Sequence, residues 1–320
     1  MKKKVIIGLT YGDPAGVGPE ILSKTLKKWN FPFIPYVIGL KEHLFSGQIP
    51  AKIDLYFHEL KNNKTLKFKV KKGIPSALTG LFSYKCLESA VTLAKNKKIK
   101  ALVTGPVSKE TINLTQKGFK GQTDEIAKFF NKKPNDVIML FSANDLRIAL
   151  FTRHIALNKV SSRVTKKALN KFLVKLNLEI KKWFKIKNPR IAVLGLNPHA
   201  GEKGLFGDEE NRIIRPVIQE LTSYGLRLFG PLSPDAVLAQ AGQDYLLGNK
   251  QKYDVYVSFY HDQGLPMFKS VAGLKGVNVT LGLPFLRVSV DHGTGFDIAG
   301  KGKASPISLI SAIKFLEEIL

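Results

Sequence analysis

Residues Arg190–Gly230, RIAVLGLNPHAGEKGLFGDEENRIIRPVIQELTSYGLRLFG, read as a strand, a glycine-rich loop, a helix and a second strand. RIAVLGL is an apolar run, the segment from Glu209 to Tyr224 spaces its apolar residues along one helical face, and LRLFG is apolar again. Apolar strands that alternate with helices indicate an α/β protein with largely parallel sheets.

The same alternation extends in both directions. Upstream lie the strand KVIIGLTY, a helix in PEILSKTLKKW, strands at IPYVIG and KIDLYF, and a polar, Lys-rich segment over 61–76 that reads as an exposed hairpin or loop. A helix from Gly80 to Lys97 leads to the strand IKALVTG, followed by strands VIMLF and LRIALFT and an amphipathic helix over 163–184. Downstream, a helix over 234–247, the strand VYVSFY and a last helix over 306–320 complete the series. At 320 residues and 44% hydrophobic content the chain can bury roughly three quarters of its unfolded surface. Two domains with a cleft are expected at this length.

Other readings of the composition are weaker. The apolar run after MKKK stops at Gly12-Asp13-Pro14, too short for a secretory signal, and no stretch approaches the roughly 20 apolar residues of a membrane span. The single Cys86 excludes an internal disulfide and suits a reducing cytoplasm. A net charge of +25 invites a nucleic-acid-binding reading. Yet 42 of the 50 basic residues are Lys, scattered over helices and loops with no interleaved aromatics, whereas nucleic-acid readers lean on Arg. A solvated Lys-rich surface is the better expectation, one that can also steer a small anionic substrate.

The opening turn, Gly12-Asp13-Pro14-Ala15-Gly16-Val17-Gly18, joins strand to helix with Pro19 and Glu20 in the first helical turn. Its glycine spacing is not the G-x-G-x-x-G fingerprint, so a Rossmann site is unsupported. Either it is a tight turn without a ligand, or Asp13 or the helix N-terminus faces the site. The stretch Ser258–Gly300 carries more chemistry, holding His261, His292, Lys269 and Arg287 among turn-forming Gly and Pro. Titratable groups held on tight turns are expensive merely to pack, so this stretch reads as an active-site wall.

Three histidines follow apolar strands: His154 after LRIALFT, His199 after RIAVLGL and His261 after VYVSFY. Carboxyl ends of parallel strands line the ligand crevice in α/β sheets, so three such imidazoles suit one zinc-like ion with an open position for substrate. His43 and His58 lack that context and read as structural. Lys269, Asn278 and Arg287 would supply two cations and an amide to an anionic substrate. Arg287 follows the apolar LGLPFL in a Lys-dominated chain, which makes mere surface charge a poor account of it. Thr123, followed by Asp124 and Glu125, reads as a helix N-cap.

With these residues assembled, the chain resembles the 4-hydroxythreonine-4-phosphate dehydrogenase family of pyridoxal-phosphate biosynthesis. The resemblance runs nearly end to end, through TYGDPAGVGPEI, ALVTGPVSKE, GLNPHAGEKGLFGDEE, GPLSPD, YHDQGLPMFK and GVNVTLGLPFLRVSVDHGTGFDIAGKGKA. It implies two α/β/α domains like those of isocitrate and isopropylmalate dehydrogenases, here expected as 1–122 with 295–320 and as 123–294. It implies a homodimer with a shared site, and NAD or NADP bound without the Rossmann fingerprint. His154, His199 and His261 would hold a divalent metal with ligands from both subunits, zinc first, with cobalt or magnesium as alternatives. Lys269 and Asp235 would join them as catalytic positions; Gln122, Thr123, Lys269, Asn278 and Arg287 would bind substrate. The family usually has His-Thr where this chain has Gln122-Thr123, which replaces a protonatable group by a neutral amide. The implied reaction oxidises a secondary alcohol to a β-keto acid that loses CO₂. A sister enzyme acting on threonate or erythronate 4-phosphate is the alternative.

Overall fold

The computed structural model describes residues 5–44, 56–58 and 69–320, the short strand 56–58 by its backbone alone. The strand expected at KIDLYF begins outside the described residues, and the Lys-rich segment expected over 61–76 lies outside them as far as residue 68.

The first elements in chain order are β1 (Val5–Thr10), α1 (Gly18–Lys27), β2 (Phe33–Ile38), β3 (Tyr56–His58), α2 (Ala77–Lys95) and β4 (Ala101–Thr104). Next come α3 (Lys109–Asn113), α4 (Gln122–Phe129), β5 (Ile138–Ala143), β6 (Leu146–Leu150), α5 (Lys166–Phe184) and β7 (Arg190–Leu194). They are followed by α6 (Arg215–Ser223), β8 (Arg227–Leu232), α7 (Pro234–Leu247), β9 (Val255–Ser258) and α8 (His261–Ala272). The strands β10 (Val277–Leu281) and β11 (Leu286–Val290) precede the last helix, α9 (Ile307–Ile319). The α/β alternation expected from Arg190–Gly230 therefore holds along the chain.

Two compact units divide these elements: one contains the chain up to Val137 together with Val277–Glu318, the other Ile138–Gly276. The sequence reading sets the breaks at 122/123 and 294/295 instead. Backbone pairing explains the difference: β11 runs parallel to β4, with Arg287 opposite Leu102, and β10 pairs antiparallel with β11. Tyr84 on α2 likewise donates to Glu125 on α4 at 3.1 Å, which keeps α4 with the first unit.

In the first unit the strands pair in the order β3, β2, β1, β4, β11, β10, all parallel except the last pair. Every residue of β4 and β11 is buried, as expected for strands covered on both faces. The helix α2 starts with a reciprocal cap, in which Thr79 N–H donates to Ser76 Oγ at 3.2 Å and Ser76 N–H to Thr79 Oγ1 at 3.0 Å. Such a cap contributes about 1 kcal/mol. In the second unit the order is β5, β6, β9, β7, β8, with β5–β6 antiparallel and the rest parallel. Leu238, Ala241, Leu265 and Phe268 from α7 and α8 pack there against Phe141, Ile148, Leu194 and Tyr256.

The helix α8 occupies a stretch whose Gly264 and Pro266 suggest turns. Pro266 removes one main-chain donor within the helix. Leu265, Phe268 and Ala272, at helical spacing, are nevertheless all buried in the core, each large side chain worth roughly 1.5–3 kcal/mol. That burial outweighs the loss at Pro266. Gly264 is needed for close approach: a Cβ there would lie 2.3 Å from Ser258 Oγ and 2.9 Å from Ile148 Cγ2. Among the described residues no helix is long and apolar enough to cross a membrane.

Candidate active site

In the second unit β6, β9 and β7 are parallel neighbours, so their carboxyl ends lie along one sheet edge at the usual spacing of about 4.8 Å. His154, His261 and His199 follow those three ends. The structure brings two of them together: the rings of His154 and His261 are 5.7 Å apart between centroids, tilted by 44°. His261 opens α8, and its Nδ1 lies 2.6 Å from Asp262 Oδ1. Gln263 fixes that first turn, accepting from Phe259 N–H at 2.7 Å and donating to Gly195 O at 2.6 Å, so it ties the helix start to the ends of both β9 and β7.

His199 is placed differently. Its Nδ1 lies 3.9 Å from Asp235 Oδ2, beside the start of α7. The Ser233 hydroxyl donates to Asp235 Oδ1 at 2.5 Å and holds the Asp235 carboxyl below its ordinary value. His199, Asp235, Asp262, Leu238, Pro266 and Met267 are among the residues that line one pocket of about 660 Å³. His199 also begins a run of left-handed residues, with φ between 42° and 78° from His199 to Lys203. Non-glycine residues adopt that region at a cost, and such strain collects at functional loops.

Among the described residues no three His, Cys, Asp or Glu side chains of the single chain form a group set to hold a metal. The expected three-imidazole set is thus represented by the His154–His261 pair, with His199 beside Asp235. The 5.7 Å separation of the pair falls within the roughly 5 to 6 Å between ring centres that two imidazoles sharing one ion at bonds of about 2.1 Å would have. Lys269 is exposed on α8, two turns beyond His261.

The first unit contains a buried cation. Arg287 is 2% exposed and lies on β11, opposite Thr280 of β10 and Leu102 of β4. Thr104, two residues beyond Leu102, shares that face. The guanidinium donates to Thr104 Oγ1 from Nε at 3.1 Å and Nη2 at 2.6 Å, and from Nη1 to Thr123 Oγ1 at 3.3 Å and Thr280 Oγ1 at 3.2 Å. These partners are uncharged hydroxyls. Burial lowers the Arg287 pKa to about 9, which still leaves it protonated at neutral pH. Neutral partners leave the charge of the buried guanidinium uncompensated, an arrangement that could receive an anion such as a phosphate or carboxylate. Asn278 on β10 adds a buried Oδ1 that has no hydrogen-bond partner among the described residues.

Thr123 is not the N-cap expected from the sequence. Gly121, at φ +150°, takes that position, and Thr123 lies inside α4 with its hydroxyl turned to Arg287. Gln122 Nε2 donates to Gly105 O at 3.0 Å. The sequence alone also misses Thr104, Thr280 and Gln263, whose side chains act on neighbouring strands; the motifs ALVTGPVSKE and YHDQG contain two of them without marking the role.

The opening turn proves to be tight. Asp13 is fully buried and accepts from Ala15 N–H at 2.9 Å and from the hydroxyls of Thr79 and Thr111, each at 3.3 Å. Gly12 has φ +76°, and a Cβ on Gly18 would lie 1.7 Å from Tyr11 O. Asp13 thus joins the turn to α2 and α3. Desolvation raises its pKa, against the lowering by these hydrogen bonds.

Comparisons with known proteins agree with this arrangement. The family model described as pyridoxal phosphate biosynthetic protein PdxA matches residues 34–316. The chain is 40% identical over 323 residues to the 4-hydroxythreonine-4-phosphate dehydrogenase of Sulfurihydrogenibium sp. strain YO3AOP1, covering 97% of each chain. It is 33% identical over 336 residues to the D-threonate 4-phosphate dehydrogenase of Pectobacterium atrosepticum, covering 98% of this chain and 99% of that protein. Among solved structures, the 4-hydroxythreonine-4-phosphate dehydrogenase of Klebsiella pneumoniae superposes with a TM-score of 0.83 at 30% identity, over 98% of both chains.

Proposed function

The chain belongs to the family of pyridoxal phosphate biosynthetic protein PdxA, and from that premise we propose that it oxidises 4-phosphohydroxy-L-threonine with NAD or NADP, as a homodimer with a shared site, in pyridoxal 5'-phosphate biosynthesis. The observation that supports this most directly is Arg287, a buried cation whose hydrogen-bond partners among the described residues are hydroxyls. A phosphorylated substrate supplies the charge that such a site needs.

The secondary alcohol loses its carbon-bound hydrogen as hydride to the nicotinamide and its hydroxyl proton to a base; the resulting β-keto acid loses CO₂ and takes up a proton, giving 3-amino-2-oxopropyl phosphate. His154, His199 and His261 are the residues that would hold a divalent ion, with ligands drawn from both subunits. Zinc is the first expectation and cobalt or magnesium the alternatives; when bound, the ion supplies Lewis acidity at the alcohol oxygen. Asp235, whose carboxyl is held below its ordinary value by the Ser233 hydroxyl, keeps a negative charge 3.9 Å from His199 Nδ1. Arg287, Thr123 and Asn278 bind the anionic part of the substrate and orient it; Gln122 and Lys269 are the remaining binding positions. A neutral Gln122 hydrogen-bonded to Gly105 O leaves threonate 4-phosphate as the second reading, in line with the Pectobacterium relative.

The test is a dehydrogenase assay that follows reduced nicotinamide with each substrate and each cofactor, before and after chelation. Turnover of 4-phosphohydroxy-L-threonine, lost on chelation and restored by zinc, cobalt or magnesium, is the expected result. Preference for threonate 4-phosphate would transfer the assignment to the second reading.

A further inference from the structure

Asn197 stands two residues before His199, and its side-chain amide donates to both neighbouring carboxylates, to Glu209 Oε2 at 2.7 Å and to Glu210 Oε2 at 2.9 Å. Glu210 is 1% exposed. Its other oxygen accepts the backbone N–H of Leu196 at 2.7 Å and of Asn197 at 2.8 Å. A buried carboxylate is thereby satisfied by donors from the two residues that lead into the His199 loop.

Glu209 extends the network in another direction. Its Oε1 accepts the Ser161 hydroxyl at 2.5 Å, and Ser161 begins the 3-10 turn Ser161–Arg163, in the segment after β6 that carries His154. A continuous set of hydrogen bonds therefore joins the loop of His199 to the segment of His154. The backbone is shaped around it. A Cβ on Gly201 would lie 2.7 Å from Glu210 Oε2, and one on Gly207 would lie 2.3 Å from Asn197 Nδ2. Glu210–Ile214 forms a single π turn, a feature frequent at functional sites.

We propose that Asn197, acting through Glu209 and Glu210, is a positioning residue that sets His199 relative to His154 and so fixes the spacing of imidazole donors for a divalent cation. The proposal rests on the metal reading of the three histidines. A merely structural amide that relieves repulsion between two adjacent carboxylates would affect the melting temperature and leave metal affinity unchanged. A positioning residue changes metal affinity in a protein that still folds.

The experiment titrates Co²⁺ alone into the chelator-stripped full-length protein and follows visible absorption, with melting temperatures measured in parallel. Wild type, His199→Ala, Asn197→Ala and Ser161→Ala are compared. Binding by Asn197→Ala is expected to be about 10- to 100-fold weaker than wild type, the range usual for outer partners of metal ligands. Ser161→Ala removes only an exposed hydroxyl, so it carries the test if Asn197→Ala does not fold, with binding several-fold weaker as the expected result. A folded Asn197→Ala, or in its place Ser161→Ala, that binds Co²⁺ like wild type while His199→Ala does not would overturn the positioning role and leave the metal reading standing. Equal Co²⁺ binding by wild type and His199→Ala would remove the metal reading, and the proposal with it.

Discussion

Arg287 meets Thr104 twice, through Nε at 3.1 Å and Nη2 at 2.6 Å, so the edge of the guanidinium that elsewhere forks a carboxylate closes here on one neutral oxygen. Thr123 and Thr280 take the two hydrogens of Nη1. Of the five donors on the guanidinium, one hydrogen on Nη2 is left without a partner among the described residues. The accepting hydroxyls keep their own protons to donate. An anion bound here would meet one guanidinium N–H and polarised hydroxyls, not a bidentate fork.

Thr104→Val deletes both bonds while keeping the shape of the side chain. Hydrogen bonds to a charged group are worth about 1.5–3 kcal/mol each, so a partial loss of orientation corresponds to a KM for the phosphorylated substrate roughly tenfold higher, with kcat changed less. Thr104→Ser restores the wild-type value. Steady-state kinetics decide it, and an unchanged KM in the Val variant rejects the orienting role.

Arg287 separates activity from stability. Lysine presents a compact ammonium that cannot reach three hydroxyls in the planar geometry of arginine, so Arg287→Lys should lower kcat/KM by about 100-fold or more. Arg287→Met fills a similar volume and removes a buried charge, and its melting temperature should equal or exceed that of wild type while activity is lost. A Met variant that is both active and destabilised would show that the cation serves the fold.

How far the sequence discloses this protein depends on the range over which each residue acts. The alternation around Arg190–Gly230 is visible because strand and helix periods are local, and Arg287 stands out as an arginine after LGLPFL in a lysine-rich chain. The histidines are recognisable by their positions past strand ends, and the structure places those ends along one sheet edge. Thr104, Thr280, Gln263 and Glu210 are not legible, because each makes its bond to a residue on another strand or loop. Gly264 and Pro266 mislead, since local rules read them as turns while tertiary packing uses the glycine for close contact. Thr123 misleads similarly, because a threonine followed by two acids matches a cap even where a glycine supplies it.

Gly264→Ala tests that close contact. The new methyl would lie 2.3 Å from Ser258 Oγ, forcing α8 away from β9 at a cost of about 1–3 kcal/mol. His261 opens that helix, so activity should fall together with the urea midpoint. Adding Ser258→Ala removes the hydroxyl and should recover part of the stability; the contact with Ile148 Cγ2 at 2.9 Å prevents full recovery. Additive losses in the double variant would place the strain elsewhere.

His43 makes stability depend on pH at a position that the sequence marks only as structural. It is 6% exposed, and its Nδ1 lies 2.9 Å from Tyr11 OH, which itself accepts Leu40 N–H at 3.0 Å. The same hydroxyl lies 3.5 Å from Leu40 O, and the tautomer of His43 decides which way the Tyr11–His43 hydrogen bond runs. Burial, with the charge of Lys72 second, lowers the His43 pKa from 6.5 to about 4, against a smaller raising by Glu42. In the unfolded chain the ring takes up its proton near 6.5, whereas the folded ring resists until about 4. The stabilisation is thus complete above pH 6.5, declines as the pH falls through the window and is lost below about 4. At 1.36 kcal/mol per unit its upper bound is about 3 kcal/mol. His43→Leu removes the titrating group and a hydrogen-bond partner of Tyr11, so it should be less stable than wild type at pH 7, with the gap narrowing toward pH 4.5. Urea denaturation of both proteins at pH 7, 5.5 and 4.5 measures the two slopes. Curves that stay parallel over that range would mean that His43 titrates alike in the folded and unfolded chains.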